Sequence, residues 1–528
     1  MHVVIADRLS DAATSVLASL EGWKISRLDG RPREELLAAM QDADALLVRS
    51  ATKVDAELLG ASPRLRIVAR AGAGVDNVDL DAATRRGILV TNAPGANSVS
   101  VAEHAFALML ALARSLAAAD ASMKQHRWEK RSLVGAELRG KVLGIVGLGR
   151  VGREVAQRGR AFGMSVLAHD PFVPEQAAAD LGLTLLSLDD VISQADYITL
   201  HLPSSASTRR LLDAARLAAC KPGVVIVNTA RGDLIDEPAL LDALERGHVA
   251  GAGLDVFAVE PPKEWPLAAH AHVIATPHIA ASTAEAQEQV AVEAAGSVRD
   301  YLLHGLVRNA VNFPSVPADE AARLRPFLTM AERAGDCLSQ LMTGQVEAIG
   351  LRYYGALAER PADLVTGAAL VGLLRSSLTA GVTLVNARTV AAERGIEVIE
   401  SRSTRQRSFT SLLSLKLHAR QAERWIEATV FDDGSPRLVL LDGIEVEAPL
   451  EGTLLVIRND DRPGVIGEVG TALARHGFNV ARFALGRDGT GAVGVVNLDV
   501  AAERELDPST LADVRAVPGV REAIAIKL

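Results

Sequence analysis

The segment Lys141-Val-Leu-Gly-Ile-Val-Gly-Leu-Gly-Arg-Val-Gly152 decides the fold of the central part of this chain. An apolar run, residues 142–146, leads into Gly147-x-Gly149-x-x-Gly152, and a helical pattern follows over residues 153–162. The first glycine permits a tight turn, the second lets the backbone approach a pyrophosphate, and the third allows the helix to pack closely on the strand. We therefore predict a strand, a phosphate-binding turn and a helix.

The next predicted strand ends in an acidic residue where a dinucleotide site needs one. That residue is Asp170, 18 residues beyond Gly152. Its carboxylate would accept hydrogen bonds from the adenosine ribose hydroxyls and would repel a 2′-phosphate, so it favours NAD over NADP. A glycine-rich turn that binds nothing is the alternative, but the complete strand–turn–helix–strand context favours a cofactor site.

Alternating β-branched runs and helical patterns extend this unit over roughly the first 310 residues. Such alternation is typical of α/β domains with parallel sheets. Two long helical patterns, residues 98–118 and 282–304, connect two series of strands, so we predict that one doubly wound domain is inserted in another. The predicted Rossmann-type NAD-binding domain spans residues 98–282. The predicted substrate-binding domain is discontinuous and comprises residues 1–97 and 283–310.

The remaining sequence predicts two smaller units. Prolines near residues 312–318 indicate a linker. Residues 311–450 mix helical and strand patterns without an assignable motif, and we predict an α+β intervening domain there. Residues 451–528 follow the order β-α-β-β-α-β, which is the split βαβ arrangement.

Composition excludes several classes of protein. The chain has 528 residues, and 56 Lys and Arg against 65 Asp and Glu give a net charge of −9. A mildly acidic chain without a basic run is a poor candidate for binding nucleic acid or a membrane surface. Two cysteines cannot form a disulfide framework or a four-thiolate zinc site, and we predict no metal site. Because no signal-peptide pattern is recognisable, we expect a cytoplasmic protein.

Three polar residues follow strands of the second predicted sheet: Arg231, Glu260 and His278. Ligands of open α/β sheets bind beyond the carboxyl ends of the strands, so these side chains could converge beside a nicotinamide. Arg can hold the carboxylate of a 2-hydroxy acid, His can take the hydroxyl proton, and a neighbouring Glu would orient the His ring and raise its pKa. Each residue alone is more often structural, but together with the dinucleotide motif they predict an active site.

These stretches resemble the D-isomer-specific 2-hydroxy acid dehydrogenases over roughly residues 1–310. The matching segments include Asn228-Thr-Ala-Arg231-Gly, Leu254-Asp-Val-Phe-Ala-Val-Glu260-Pro and Pro277-His278. Segments 48–54, 70–77 and 92–98 resemble the branch that oxidises D-3-phosphoglycerate to 3-phosphohydroxypyruvate, the first step of L-serine biosynthesis. The resemblance implies NAD as cofactor and the catalytic roles given above. It also implies cofactor contacts from Gly147, Gly149, Arg150, Val151, Gly152, Asp170, Leu202, Thr229, Ala230, Asp255 and Ala281, with Asp255 on the nicotinamide carboxamide.

The same resemblance implies a site for a small phosphorylated substrate. Arg49 and Arg70 each end a predicted strand and could face the cleft, and Asn97 belongs to a matching segment. Lys130 and Arg131 lie in a short basic loop. In this family a comparable loop reaches the active site of a second subunit, so a homodimer or homotetramer is expected. Solvated surface charge is the alternative interpretation of these cations.

The C-terminal residues resemble an ACT domain, a small module that binds amino acids at subunit interfaces. Asp461, close to a predicted helix N-cap, would meet an ammonium group, and Asn479 a carboxylate or polar group, so L-serine is the expected effector. Two other functions stay open at this point. One is a glyoxylate or hydroxypyruvate reductase of the same family, and the other is a non-enzymatic, NAD-sensing binding protein.

Overall fold

The computed structural model describes residues 1–314, 316, 318–375, 381–405, 407–420, 422–489, 491–499 and 506–528. The described strands form four sheets, which contain five, seven, six and four strands in chain order. The predicted fold class is confirmed: two parallel-sheet α/β units precede a mixed-sheet unit and a small antiparallel-sheet unit. The domain boundaries given above stay predictions.

The five-stranded sheet is parallel and has the order β2-β1-β3-β4-β5. Its strands are β1 (His2–Ile5), β2 (Lys24–Arg27), β3 (Ala45–Val48), β4 (Ile67–Arg70) and β5 (Leu89–Thr91). The helices between them are α1 (Asp11–Ala18), α2 (Arg33–Met40), α3 (Ala56–Gly60) and α4 (Leu80–Arg85). Strands β1 and β3 are buried on both faces, which explains their continuous apolar sequences. The sequence pattern does not predict β2, because this edge strand is partly exposed and polar.

The seven-stranded sheet is also parallel, with the order β12-β11-β10-β9-β6-β7-β8. Its strands are β6 (Val142–Val146), β7 (Ser165–His169), β8 (Thr184–Leu185), β9 (Tyr197–Leu200), β10 (Val224–Asn228), β11 (Val249–Leu254) and β12 (Val273–Ala275). Its helices are α5 (Ser98–Ala113), α6 (Leu116–Lys124), α7 (Arg150–Ala161), α8 (Glu175–Ala179), α9 (Leu188–Gln194), α10 (Ala214–Ala219) and α11 (Glu237–Glu245). The strand order reverses beside β6, and such a switch point opens a crevice at the carboxyl ends of the strands.

Two helices connect these sheets, α5 and the long α12 (Ala284–His304). Helix α12 returns to the first sheet and packs its buried face on α1 and β4. The prediction of one helix over residues 98–118 is wrong, because α5 ends at Ala113 and Ser115 adopts a left-handed conformation (φ 48°) before α6. The Ala113 carbonyl accepts the Ala136 N–H (2.8 Å), so a returning loop takes the group that would continue the helix.

No single described helix is long and apolar enough to cross a membrane. The pair α5 and α6, bent by 64°, passes that test on length and composition alone. Half of the residues of α5 are buried inside the protein, where they form part of the core of the seven-stranded sheet.

The six-stranded sheet is mixed and has the order β14-β13-β15-β16-β17-β18. Its strands are β13 (Val346–Gly355), β14 (Glu397–Ser403), β15 (Ser411–Ala419), β16 (Ala422–Val430), β17 (Pro436–Leu441) and β18 (Ile444–Pro449). Its helices are α13 (Ala318–Leu341), α14 (Ala362–Arg375) and α15 (Ala387–Glu393). The sequence pattern does not predict β13 or β18, since only alternate residues, such as Ile349, Leu351 and Tyr353, enter the core.

The last sheet is antiparallel, with the order β20-β21-β19-β22 and two helices in the predicted β-α-β-β-α-β sequence. The elements are β19 (Thr453–Asn459), α16 (Val465–Arg475), β20 (Asn479–Arg487), β21 (Ala492–Asp499), α17 (Pro508–Arg515) and β22 (Val520–Lys527). One face of this sheet covers the two helices, while Leu454, Val456 and Ile526 join the core built by α13 and the six-stranded sheet. The two C-terminal units therefore share one apolar core.

Candidate active site

The glycine-rich turn between β6 and α7 lies at the switch point of the seven-stranded sheet. Gly147 has a φ of 99°, a conformation that glycine adopts without strain. A Cβ at Gly152 would overlap the Gly147 carbonyl, so α7 meets the turn through bare backbone. No heavy atom of the described residues lies within 4 Å of the Cβ position of Gly149. The turn thus leaves open space at the N-terminus of α7, where backbone N–H groups favour an anion.

Asp170 and Thr229 lie at the same edge of the sheet. Asp170 accepts hydrogen bonds from the Leu148 N–H (2.8 Å) and the Phe172 N–H (2.9 Å), which fix its carboxylate against the turn. The hydroxyl oxygen of Thr229 is buried and has no hydrogen-bond partner among the described residues. A buried hydroxyl without a partner is suited to a ligand. Both observations fit a bound dinucleotide.

The other predicted cofactor residues surround this crevice. Arg150 begins α7, and its guanidinium lies against Gly95, which belongs to the loop after β5. Val151, Leu202 and Ala230 pack their side chains against the apolar clusters of the sheet. We expect these three residues to contact a ligand through their backbone.

Asp255 binds the turn that carries His278. Its side chain is fully buried; Oδ1 accepts the Thr276 hydroxyl (2.6 Å) and the Ile279 N–H (2.8 Å), and Oδ2 accepts the Ala280 N–H (2.8 Å). Burial alone would raise the pKa of Asp255, but the hydrogen bonds hold it below its ordinary value. The carboxylate thus holds the turn after β12, and its contact with a nicotinamide carboxamide stays a prediction.

His278 and Glu260 form a close pair at the carboxyl edge of the sheet. Nδ1 of His278 lies 2.6 Å from Oε2 of Glu260, and the Phe257 N–H donates to Oε1 (3.0 Å). Because a carboxylate accepts, Nδ1 carries the hydrogen and Nε2 keeps a lone pair. The hydrogen bond to Glu260 raises the pKa of His278 although burial opposes it. Burial by itself would raise the pKa of Glu260. The hydrogen bonds that Glu260 accepts from His278 and from the Phe257 N–H hold this pKa below its ordinary value.

Arg231 reaches the same edge from the loop after β10. Its Nε and Nη2 both lie 3.1 Å from Oδ2 of Asp76, and its Nη1 donates to the Ala230 carbonyl (2.7 Å). Asp76 belongs to the loop after β4, so the ion pair bridges the cleft between the two parallel sheets. A Cβ at Gly74 would overlap the Arg231 guanidinium, which explains the glycine there. Sequence reasoning missed Asp76, since a single Asp in a loop carries no distinguishing pattern.

Two further arginines lie on the opposite wall of the cleft. Arg70 is the last residue of β4, and Arg49 follows the neighbouring strand β3. Burial, together with the charges of Arg231 and Arg49, lowers the pKa of Arg70 to about 10. Its Nε is buried and has no hydrogen-bond partner in the described part of the chain. Asp7, a buried carboxylate that sequence reasoning also missed, accepts the Arg49 N–H (2.6 Å) and so holds the loop in place.

The other predicted substrate residues are Asn97, Lys130 and Arg131. Asn97 occupies the N-cap position of α5, and its side chain makes no capping hydrogen bond to the described residues. Lys130 and Arg131 are exposed. The residues that follow them, 132–136, line a groove at the amino ends of β9, β10 and β12, whereas His278 lies beyond the carboxyl ends. Within one chain, these two cations are thus on the far side of the sheet from the site.

The predicted regulatory residues are also separated within one chain. Asp461 follows β19, and Asn479 begins β20, which runs in the same direction on the other side of β21. Asp461 contacts the far end of β20, where its Oδ1 lies 3.0 Å from Arg487 Nε. Strand β20 has nine residues and is about 26 Å long from its first to its last residue at ~3.3 Å per residue, so one small molecule cannot meet both residues of one chain.

Asp461 precedes the next helix and does not cap it. Helix α16 begins at Val465, and Gly464, with a φ of 97°, occupies its N-cap position. Asp461 itself is left-handed (φ 52°), and its N–H donates to Oδ1 of Asn459 (2.9 Å). Asp461 therefore belongs to the turn between β19 and α16 and not to the helix.

Three family descriptions match successive parts of the chain. Residues 106–280 match the D-isomer specific 2-hydroxyacid dehydrogenase NAD-binding domain, so the NAD-binding assignment is confirmed. Residues 323–442 match the D-3-phosphoglycerate dehydrogenase intervening domain, and residues 453–519 match the ACT domain. Among solved structures, the TT0316 protein from Thermus thermophilus is 37% identical with a TM-score of 0.54, covering 59% of this chain and 100% of its own. D-Lactate dehydrogenase from Aquifex aeolicus, complexed with NAD and lactic acid, is 31% identical with a TM-score of 0.52, covering 60% and 100%.

Several curated relatives match over nearly their whole length. D-3-phosphoglycerate dehydrogenase of Methanocaldococcus jannaschii is 38% identical over 531 residues, which cover 100% of both chains. The enzymes of that name from Mycobacterium tuberculosis (strain H37Rv) and Bacillus subtilis are 43% and 39% identical, covering 94% and 100% of this chain and 94% and 99% of their own. This chain belongs to the D-isomer specific 2-hydroxyacid dehydrogenase family, in the D-3-phosphoglycerate dehydrogenase branch that carries an intervening domain and an ACT domain.

Proposed function

We propose that this chain oxidises D-3-phosphoglycerate to 3-phosphohydroxypyruvate with NAD, as the first step of L-serine biosynthesis. The observation that carries the proposal is the partly buried Arg70 guanidinium near Arg49 and Arg231, whose Nε is buried without a partner among the described residues, at the cleft that also holds the His278–Glu260 pair. Buried cations are stabilised most by anions that complete their hydrogen bonds. A phosphate and a carboxylate on one small acid supply two such anions.

The three arginines bind different anionic groups of the substrate. Asp76 holds the Nε edge of Arg231, which leaves the terminal edge of that guanidinium for the substrate carboxylate. Arg49 and Arg70 bind the phosphate from the opposite wall. Their spacing across the cleft orients the substrate so that its C2 hydroxyl faces the catalytic pair.

The proton of that hydroxyl passes to Nε2 of His278. Glu260, hydrogen-bonded to Nδ1, keeps the ring in the correct tautomer and stabilises the imidazolium that forms. The turn at Gly149 would hold NAD, which would supply the acceptor for the hydride that leaves C2. The raised pKa of His278 lets the ring hold the proton until the product leaves.

The cofactor site is held by the groups described above. We infer that Asp170 accepts hydrogen bonds from the adenosine ribose, that Thr229 donates its free hydroxyl to the dinucleotide, and that the first turn of α7 carries the pyrophosphate. A carboxylate at the ribose disfavours a 2′-phosphate, so NAD is expected to be preferred to NADP.

The test is NAD reduction, followed by absorbance, across D-3-phosphoglycerate, D-glycerate, D-lactate and glycolate. We expect kcat/KM to be highest for the phosphorylated acid, because only this acid has a phosphate that can bind Arg49 and Arg70. Higher kcat/KM for unphosphorylated acids would instead support a glyoxylate or hydroxypyruvate reductase. NAD binding by calorimetry without turnover of any acid would support an NAD-sensing binding protein.

We also propose that the chain forms a homodimer or homotetramer. Apolar residues on α6 and the following loop are largely exposed: Leu116 (53%), Met123 (53%), Trp128 (79%) and Val134 (83%). They adjoin an open groove of about 740 Å³ at the amino edge of the seven-stranded sheet. A second copy would cover this surface and place Lys130 and Arg131 in another chain's cleft. Sedimentation of the full chain tests this proposal, and a monomer at assay concentrations would contradict it.

Serine regulation is the remaining part of the proposal. ACT-like residues Asp461 and Asn479 lie at opposite ends of one sheet, so a single L-serine can meet both only where two chains contribute. We expect L-serine to lower activity, and Asp461→Ala to weaken that response. Calorimetry that detects no serine binding to the wild type would leave the ACT domain as an assembly module or a sensor of another ligand.

A further inference from the structure

A chain of hydrogen bonds connects helix α5 to the turn that carries His278. Nε2 of His104 on α5 lies 3.0 Å from the Thr276 hydroxyl, and that hydroxyl lies 2.6 Å from Oδ1 of Asp255. The His104 side chain is 19% exposed, and that of Asp255 is fully buried. Nothing in the function proposed above uses His104 or Thr276.

The chemistry of these groups fixes which atom donates the hydrogen in each of these hydrogen bonds. The carboxylate of Asp255, whose pKa is lowered, can only accept hydrogen bonds. A threonine hydroxyl has one hydrogen, and Thr276 gives it to Asp255. The Thr276 oxygen must therefore accept from His104, so Nε2 of His104 is the nitrogen that carries a hydrogen.

Asp255 then controls the backbone of the catalytic turn. Its carbonyl accepts the His278 N–H (2.8 Å), and its two carboxylate oxygens accept the N–H groups of Ile279 and Ala280 (2.8 Å each). Three consecutive N–H groups are thus bound by one residue. They hold His278 at a φ of 54°, a left-handed conformation that is unfavourable for a residue with a Cβ. Without these bonds the turn would relax, and the ring would leave Glu260.

We propose that His104 is a positioning residue for the catalytic base: it orients Thr276, which orients Asp255, which holds His278 against Glu260. The proposal rests on the proposed function in that His278 is taken as the base. It adds a role for α5, which crosses between the two parallel-sheet domains. Helix α5 also reaches the N-cap of α12, where Ser100 Oγ lies 2.8 Å from Thr283 Oγ1. Helix α5 is therefore bonded both to the start of the catalytic turn and to the N-cap of α12.

The experiment compares His104→Leu, Thr276→Val and the double variant in the full chain. Each single change removes one link at similar volume, so we expect kcat to fall about three- to tenfold, the effect of one lost hydrogen bond. KM and the NAD dissociation constant should stay within about twofold, since both residues act on the turn through Asp255. Nε2 of His104 also lies 3.5 Å from Oδ1 of Asp255, so both side chains converge on one carboxylate, and the double variant should lose less activity than the product of the two single losses.

A pH profile separates positioning from a general loss of stability. The charged groups that act on His278 are Glu260, Asp255 and Arg231, and the Glu260 hydrogen bond is the largest of these effects. If His278 drifts from Glu260, its pKa falls, and the acidic limb of kcat/KM moves to lower pH. Titration of the His278 ring by NMR measures the same shift without turnover. A merely destabilised protein would keep the wild-type limb.

Two matched variants complete the design. His104→Gln keeps an N–H donor at a similar reach, and we expect kcat within about twofold of the wild type. Glu103→Gln changes the preceding residue of α5, which contacts Arg158, and should leave kcat and the pH limb unchanged. All comparisons use whichever 2-hydroxy acid the wild type oxidises, so an error in the substrate assignment does not affect them. Wild-type kcat and pH limb in folded His104→Leu, or losses that multiply in the double variant, would overturn the proposal.

Discussion

Arg70→Met should make the protein more stable and a worse enzyme. The pKa of Arg70 is lowered from its ordinary value to about 10, chiefly by burial. Each pKa unit corresponds to ~1.4 kcal/mol, so the partly buried charge costs at most about 3.5 kcal/mol of unfolding free energy. Solvent at the cleft screens part of this cost. Methionine fills similar space without a charge, and we expect a gain of ~1–2 kcal/mol.

The pH dependence of this cost has a definite sign. A base whose pKa is lower in the folded protein binds fewer protons there than in the unfolded chain at pH values between its two pKa values, here above about pH 10. Stability therefore rises with pH only across that interval. At neutral pH the full cost is present, so the stabilisation by Arg70→Met should not vary between pH 6 and 8.

The same substitution should damage recognition of the phosphate. Loss of charge-assisted hydrogen bonds is worth ~1.5–3 kcal/mol, which predicts a rise in KM for D-3-phosphoglycerate of about ten- to a hundredfold. KM for an unphosphorylated 2-hydroxy acid should change less than about threefold. Steady-state kinetics with both substrates gives this ratio, and hydrogen exchange in β1, β3 and β4 gives the local stability.

Arg31→Met is the matched control. Arg31 is 62% exposed in its side chain and lies 3.9 Å from Glu35, so its removal should change stability by less than about 0.5 kcal/mol and leave KM unchanged. The reasoning is refuted if Arg70→Met destabilises the first sheet. It is equally refuted if KM rises by the same factor for both substrates.

Three further predictions concern the catalytic pair, the cofactor and the assembly. Glu260→Gln should move the acidic limb of kcat/KM to lower pH, because the carboxylate raises the pKa of His278 and the base works when deprotonated; an unmoved limb in the pH profile would contradict this. Asp170→Ala should weaken NAD binding and improve the relative use of NADP, measured as the ratio of kcat/KM values, and an unchanged ratio would remove Asp170 from the ribose site. A Lys130→Ala/Arg131→Ala variant mixed with His278→Ala should regain activity in hybrid dimers, and no recovery after proven subunit exchange would exclude action between chains.

Much of the fold could be predicted from the sequence because its signals are local. Strands β6 and β10 are recognisable as continuous apolar runs, since parallel strands are buried on both faces. The glycine-rich turn is recognisable because the φ of Gly147 and the close contact of Gly152 with the Gly147 carbonyl both favour glycine. Strands β2, β13 and β18 lack such runs, because an edge position or one exposed face admits polar residues. The break between α5 and α6 gave no local sign, because the Ala113 carbonyl is bound by the N–H of Ala136, which is distant in sequence.

The residue types of the site follow from the sequence, whereas their partnerships come from the tertiary structure. A His, a Glu and an Arg after three neighbouring parallel strands must meet at one sheet edge, because those strands all end there. The sequence does not show which acidic residue each of them contacts. Asp76 and Asp7 come from another sheet, Asp255 is turned inward by donors from the next strand, and His104 arrives on a crossing helix. The sequence alone therefore determined the chemistry of this protein, and the packing of distant segments decided the charge, conformation and accessibility of the groups that perform it.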